Sequence, residues 1–219
     1  MKYQSTRGEA PILEFGDVLL AGLAEDGGLY VPVELPEISS ADLRAFENLP
    51  YTEIATRILA PFVAPSIDED SLRRMAEEAY ATFRHPEVVP VTDLPSAGRN
   101  AHHLVELHWG PTFSFKDVAL QLLGRLFEYE LGRRSASVTI VGATSGDTGS
   151  AAIEACRDRE GIVLIMLHPR GRISEVQRRQ MTTVSSPNIH NVAIDGTFDD
   201  CQDLVNAMFA DSPFRQRLH

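Results

Sequence analysis

Gly110-Pro111-Thr112-Phe113-Ser114-Phe115-Lys116-Asp117 reads as a turn that feeds a strand into a helix and carries a lysine between two aromatic residues. Lysine is scarce here: of the 20 lysines and arginines in the chain, only Lys2 and Lys116 are lysines. A guanidinium stays protonated, whereas a lysine amine can be desolvated, lose its proton and attack a carbonyl carbon. Phe113 and Phe115 are placed to supply that desolvation. The alternative is an ordinary first-turn residue with its ammonium in water, as for most lysines.

A second motif, Thr144-Ser145-Gly146-Asp147-Thr148-Gly149, begins 28 residues after Lys116 and joins an apolar strand to a helix. Its glycines let the backbone approach a ligand closely, and the free amides of a helix N-terminus favour an anion. The hydroxyls of Thr144, Ser145 and Thr148 can add hydrogen bonds, so the loop suits a carboxylate or a phosphate. A capped helix start whose glycines merely turn is the plainer reading. The loop matches neither a dinucleotide fingerprint nor a Walker sequence.

Outward from these motifs, residues 102 onward alternate strands and helices. Strands are expected over 104–108, 137–141, 162–167 and 189–194, and helices over 115–131, 148–157, 174–183 and 198–210. That alternation predicts an α/β fold with a parallel sheet covered on both faces, with ligands beyond the carboxyl ends of its strands. Residues 1–95 read as a separate, mainly helical region. Helices are expected over 14–23, 42–47, 51–59 and 68–83, with short strands at 29–31 and 88–91. The Pro- and Gly-punctuated stretch 84–100 marks the boundary between 1–95 and 96–219, and 136–219 reads as a smaller α/β subdomain.

The 219 residues carry 31 acidic against 20 basic side chains, a formal net charge of -11. This argues against a nucleic-acid surface, which needs a basic face. The pairs Arg73-Arg74, Arg133-Arg134 and Arg178-Arg179 read as solvated helix faces or local anion sites. Cys156 and Cys201 each fall inside an expected helix and read as reduced core residues. His102, His103 and His108 lie on or beside one expected strand with no acidic partner evident in the sequence, and no metal is assigned to them. No apolar run reaches the roughly 18 residues of a membrane span, and no signal peptide opens the sequence, so a soluble, cytoplasmic protein is expected. Oligomeric state is left open.

The segment Glu106 through Asp117 resembles that carrying the pyridoxal-phosphate lysine of the threonine synthase family, and Ala143 through Gly149 resembles that family's substrate-binding loop. Tyr3-Gln4-Ser5-Thr6-Arg7-Gly8 and Asp26-Gly27-Gly28-Leu29-Tyr30-Val31-Pro32 resemble its opening. The resemblance implies a pyridoxal-phosphate fold of type II, with Lys116 holding pyridoxal 5'-phosphate as a Schiff base and then serving as the base. It implies Phe115 and Asp147 beside the cofactor, and Thr144, Ser145, Gly146, Asp147 and Thr148 at the substrate carboxylate. The implied substrate is O-phosphohomoserine, converted with water to threonine and phosphate. Arg170, Arg172 and Ser174 are weighed for the substrate phosphate against a plain exposed basic loop; the role of Ser5, Thr6 and Arg7 is left open.

Members of that family are considerably longer. The resemblance predicts a later glycine-rich loop for the cofactor phosphate and a hydroxyl residue facing the pyridine nitrogen, and neither is found before His219. The chain therefore reads as the N-terminal portion of the fold, incomplete and expected to lack stable cofactor binding and turnover when taken alone. A threonine or serine dehydratase, a cysteine synthase, or a non-catalytic binding fragment are the alternatives.

Overall fold

The computed structural model describes residues 1–95, 101–211 and 213–214. The punctuated residues 96–100 and the terminal 215–219 lie outside the described residues. The chain divides into two compact units, Met1–Ala81 and Thr82–His219.

In the first unit, β1 (Lys2–Ser5) is the middle strand of an antiparallel sheet between β2 (Leu13–Glu14) and β3 (Tyr30–Pro32). β1 and β2 are absent from the sequence-based expectation, because four and two residues offer too little alternation to register. What fixes β1 is its burial of Tyr3 and Ser5 on one face. The opening motif has a structural role here. Asp26 accepts from the Ser5 hydroxyl and from the amides of Gly28, Glu9 and Ala10, while Arg7 donates to the Asp26 carbonyl. Burial acts to raise the Asp26 carboxyl, but these hydrogen bonds outweigh it and hold it below the usual range.

The helices of this unit are α1 (Phe15–Ala21), α2 (Ser40–Ala45), α3 (Tyr51–Val63) and α4 (Glu69–Tyr80). α2 starts on a reciprocal cap, with the Ser39 hydroxyl accepting the Asp42 amide and Asp42 accepting the Ser39 amide. α3 runs past its expected end at 59: Pro61 sits inside the last turn, and the helix stops before Pro65. α4 presents Leu72, Met75, Ala76, Ala79 and Tyr80 as a buried stripe, and Tyr80 meets Tyr51 edge-on at 4.9 Å.

The second unit opens with a two-stranded antiparallel ribbon, β4 (Val91–Leu94) and β5 (His102–Val105). This corrects the expected strands at 88–91 and 104–108. Val88 has a positive φ of 61°, a turn conformation that keeps it out of a strand, and pairing begins only after Pro90. The strand preceding the lysine turn therefore belongs to this ribbon and not to the parallel sheet. An acidic partner for a strand histidine also emerges, because register places Asp93 opposite His103, with Nδ1 and Oδ1 2.7 Å apart.

After α5 (Asp117–Arg134) come β6 (Val138–Ala143), α6 (Asp147–Cys156), β7 (Ile162–Pro169), α7 (Glu175–Thr182), β8 (Ile189–Ile194) and α8 (Phe198–Ala210). The three strands form a parallel sheet in the order β6-β7-β8, as the alternation predicts. Two successive crossovers in the same direction put α6 and α7 on one face. On that face the Asn191 side chain donates to the Met181 carbonyl of α7. α8 covers the other face, where Leu167 packs with Cys201 and Val205. Five of the six paired arginines meet carboxylates, Arg73 with Glu53, Glu69 and Asp70, Arg133 and Arg134 with Glu130, and Arg178 and Arg179 with Glu175, while Arg74 donates to the Ser71 hydroxyl. No described helix is long and apolar enough to cross a membrane.

Candidate active site

The lysine turn is built around Asp117. Its fully buried carboxylate accepts from the Thr112 amide at 2.8 Å, from the Thr112 hydroxyl at 2.9 Å and from Gln121 at 3.4 Å. Burial pushes this carboxyl above the usual range, with the charge of Asp147 adding to the effect, against the lowering by those hydrogen bonds. Phe113 takes a positive φ of 64°, an uncommon conformation for an aromatic residue. The Asp117 amide donates to the Ser114 carbonyl, and Lys116 falls at the cap position of α5 with helical dihedrals.

That turn brings Lys116 to the start of α6. Its Nζ lies 2.6 Å from Oδ2 of Asp147 and 4.3 Å from the centre of the Phe115 ring. The lysine side chain is 26% exposed and that of Asp147 44%. The two phenylalanines do not both shield the amine, as the sequence suggests. Phe113 lies instead under the Arg84 guanidinium at 4.1 Å, and Phe115 is itself exposed.

The second motif is shaped from within. Thr144 is buried, and its Oγ1 accepts the amides of Gly146 at 2.9 Å and Gly149 at 2.8 Å, so this hydroxyl fixes the loop and caps α6. Gly146 has φ +128°, and a Cβ there would stand 2.5 Å from Oε1 of Gln177, so both conformation and space demand glycine. Ser145 and Thr148 are exposed. Among the described residues the amides of Ser145, Asp147 and Thr148 have no acceptor, which leaves the start of α6 open to an anion.

Ser174, weighed for a phosphate, caps α7 by accepting the Gln177 amide, and Arg170 pairs with Asp195 at 2.5 Å. Sequence alone gives no role to three contributors: Asp117 as the centre of the turn, Gln177 against Gly146, and Gln180, whose side chain donates to the Thr112 carbonyl. Asp117 sits in the quoted motif and was visible; the two glutamines of α7 carry no local signal.

A lysine and a helix start with free amides come together at the carboxyl end of a parallel strand in an α/β protein. Comparison with known proteins makes this particular. A family model described as "Threonine synthase N terminus" matches residues 2–80. A threonine synthase from Pseudomonas aeruginosa is 53% identical over 98% of this chain and 45% of its own length. The crystal structure of a pyridoxal-phosphate-bound threonine synthase from Brucella melitensis superposes with a TM-score of 0.92 at 50% identity, covering all of this chain and 46% of that one. The yeast threonine synthase structure superposes with a TM-score of 0.90 at 40% identity, covering 97% of this chain and 44% of that one. The chain belongs to the threonine synthase family and matches the N-terminal portion of its members. It spans somewhat under half the length of the curated relatives it matches.

Proposed function

We propose that these 219 residues are the N-terminal portion of a pyridoxal-phosphate-dependent threonine synthase, which converts O-phosphohomoserine and water to threonine and phosphate. The observation that carries the reading is the convergence of Lys116 with the start of α6, where Nζ and Asp147 are 2.6 Å apart beside the open loop 144–148. The residues present fit the cofactor as far as the amine and its surroundings go: a partly exposed nucleophile, the Phe115 ring against it and a carboxylate within reach.

In this reading Lys116 holds the cofactor and, once released, moves protons at the substrate's carbons. Bound pyridoxal phosphate supplies the electron sink. Asp147 orients the cofactor at the lysine, and Phe115 excludes water on the side it covers. Ser145 and Thr148 take the substrate carboxylate on open amides and hydroxyls, with the open amide of Asp147 between them, and Thr144 and Gly146 act by holding the loop in shape. Residues 1–95 are the N-terminal domain and 96–219 the first part of the catalytic domain, with 136–219 as its smaller subdomain. A cytoplasmic location suits the free, buried thiols of Cys156 and Cys201. Because the 219 residues span less than half of each matched relative, they are expected to show no turnover by themselves. Threonine formation from O-phosphohomoserine, assayed with the 219-residue chain and with a chain of the relatives' full length, tests this: phosphate release by the longer chain supports the reading, and release of ammonia or exchange of sulfide in its place sinks it.

A further inference from the structure

The contact between Lys116 and Asp147 does more than place two site residues side by side. On α5 the carboxylate of Asp117 is committed to Thr112 and Gln121. On α7 Glu175 is held by Arg178 and Arg179. At the start of α6, Asp147 alone of these directs an oxygen at Nζ, 2.6 Å away. The Phe115 ring, 4.3 Å from Nζ, adds a second surface favourable to a cation. Asp147 is itself firmly placed, because Thr144 Oγ1 accepts the amides of Gly146 and Gly149 on either side of it. Its negative charge lies in the first turn of α6, where the helix dipole favours it.

We infer that Asp147 is a latch on Lys116: its carboxylate holds the amine as an ion-pair partner, and reaction of that amine with an electrophile requires the pair to open first. The amine is held 2.6 Å from the carboxylate and has to leave it before it can approach an electrophile, so the pair slows attack by Lys116 on any electrophile. A neutral amide at position 147 would accept a hydrogen bond from the same nitrogen but hold it more weakly than the carboxylate does. Asp147 is in this sense a positioning residue. Its role rests on the reading of Lys116 as the cofactor lysine, but it is testable without the cofactor.

The composition makes that test clean, since Lys2 is exposed and is the one other lysine in the chain. The 219-residue protein is treated with limiting N-acetoxysuccinimide at neutral pH and low salt, and acetylation of Lys116 is measured by peptide mapping as a ratio to Lys2 in the same sample. In Asp147→Asn the ratio is expected to rise about fivefold, the scale of a partly exposed ion pair. Asp147→Ser, a second neutral residue suited to a helix start, is expected to match it. Asp147→Glu, which keeps the carboxylate, is expected to stay near the unsubstituted protein. An unchanged ratio in the folded neutral variants, or a Glu variant as fast as they are, overturns the latch. A pyridoxyl adduct that fails to form on Lys116 would count against the cofactor reading and leave the acetylation ratio to decide the latch independently.

Discussion

The carboxyl group of Asp117 occupies the space that a side chain at Gly110 would need. A Cβ at Gly110 would stand 2.4 Å from Cβ and 2.5 Å from Oδ2 of Asp117. Gly110→Ala therefore has to push Asp117 away from Thr112, and the expected cost is about 1–3 kcal/mol, the range of an overpacked site. Denaturant unfolding compared with the unsubstituted protein checks this, and an unchanged midpoint would mean that the turn relaxes without loss.

Thr144 serves two amides with one oxygen. Thr144→Val keeps the shape but leaves the amides of Gly146 and Gly149 without their acceptor, at an expected cost of about 1–3 kcal/mol. Thr144→Ser, which keeps the hydroxyl, should cost much less. Thermal melts of the two variants separate a role for the oxygen from one for the methyl group.

Glu130 gives stability with a definite pH dependence. Its buried carboxylate takes Arg133 and Arg134, and although burial acts to raise it, the arginine hydrogen bonds hold it below the usual range. A carboxyl lowered on folding contributes stability that is present above its unfolded value and is lost as pH falls through the folded one. Glu130→Gln should be less stable by roughly 1 kcal/mol at neutral pH, because the arginines are partly in water. The difference should shrink as pH falls below the ordinary glutamate range. Melting curves across pH 7 to 3 would show it, and a gap that stays constant would rule out the ionic contribution.

Both thiols should be silent in the folded protein. Burial pushes the Cys156 thiol up to about 11 and raises that of Cys201. Neither offers thiolate near neutrality, and both are shielded. A chromogenic disulfide reagent is expected to find no thiol under native conditions and both after denaturation.

The parallel sheet was legible from residues 162–167, an apolar run, and from the alternation around it, because a strand buried on both faces writes its burial into every residue. The ribbon at β4 and β5 was displaced by a few residues from its expectation. Its eight positions are all exposed, so hydrophobic pattern carried no register and the turn at Val88 decided where pairing began. The site followed the same division. Lys116 and the 144–149 loop announce themselves by residue type and glycine spacing. That Asp147 would reach Nζ depends on how α5 and α6 lie together, with the Ala155 carbonyl so close to Gly124 that a Cβ would stand 2.3 Å away. Such a helix contact leaves no local trace.

The proposed function stands or falls on Lys116 carrying the cofactor. Intact-mass spectrometry of the protein with excess pyridoxal phosphate, before and after borohydride reduction, followed by peptide mapping, tests it directly, because reduction traps even brief occupancy. The predicted result is one pyridoxyl group, mapped to Lys116, lost in Lys116→Ala and with Lys2 unmodified. No adduct, or one shared evenly between Lys2 and Lys116, would contradict it.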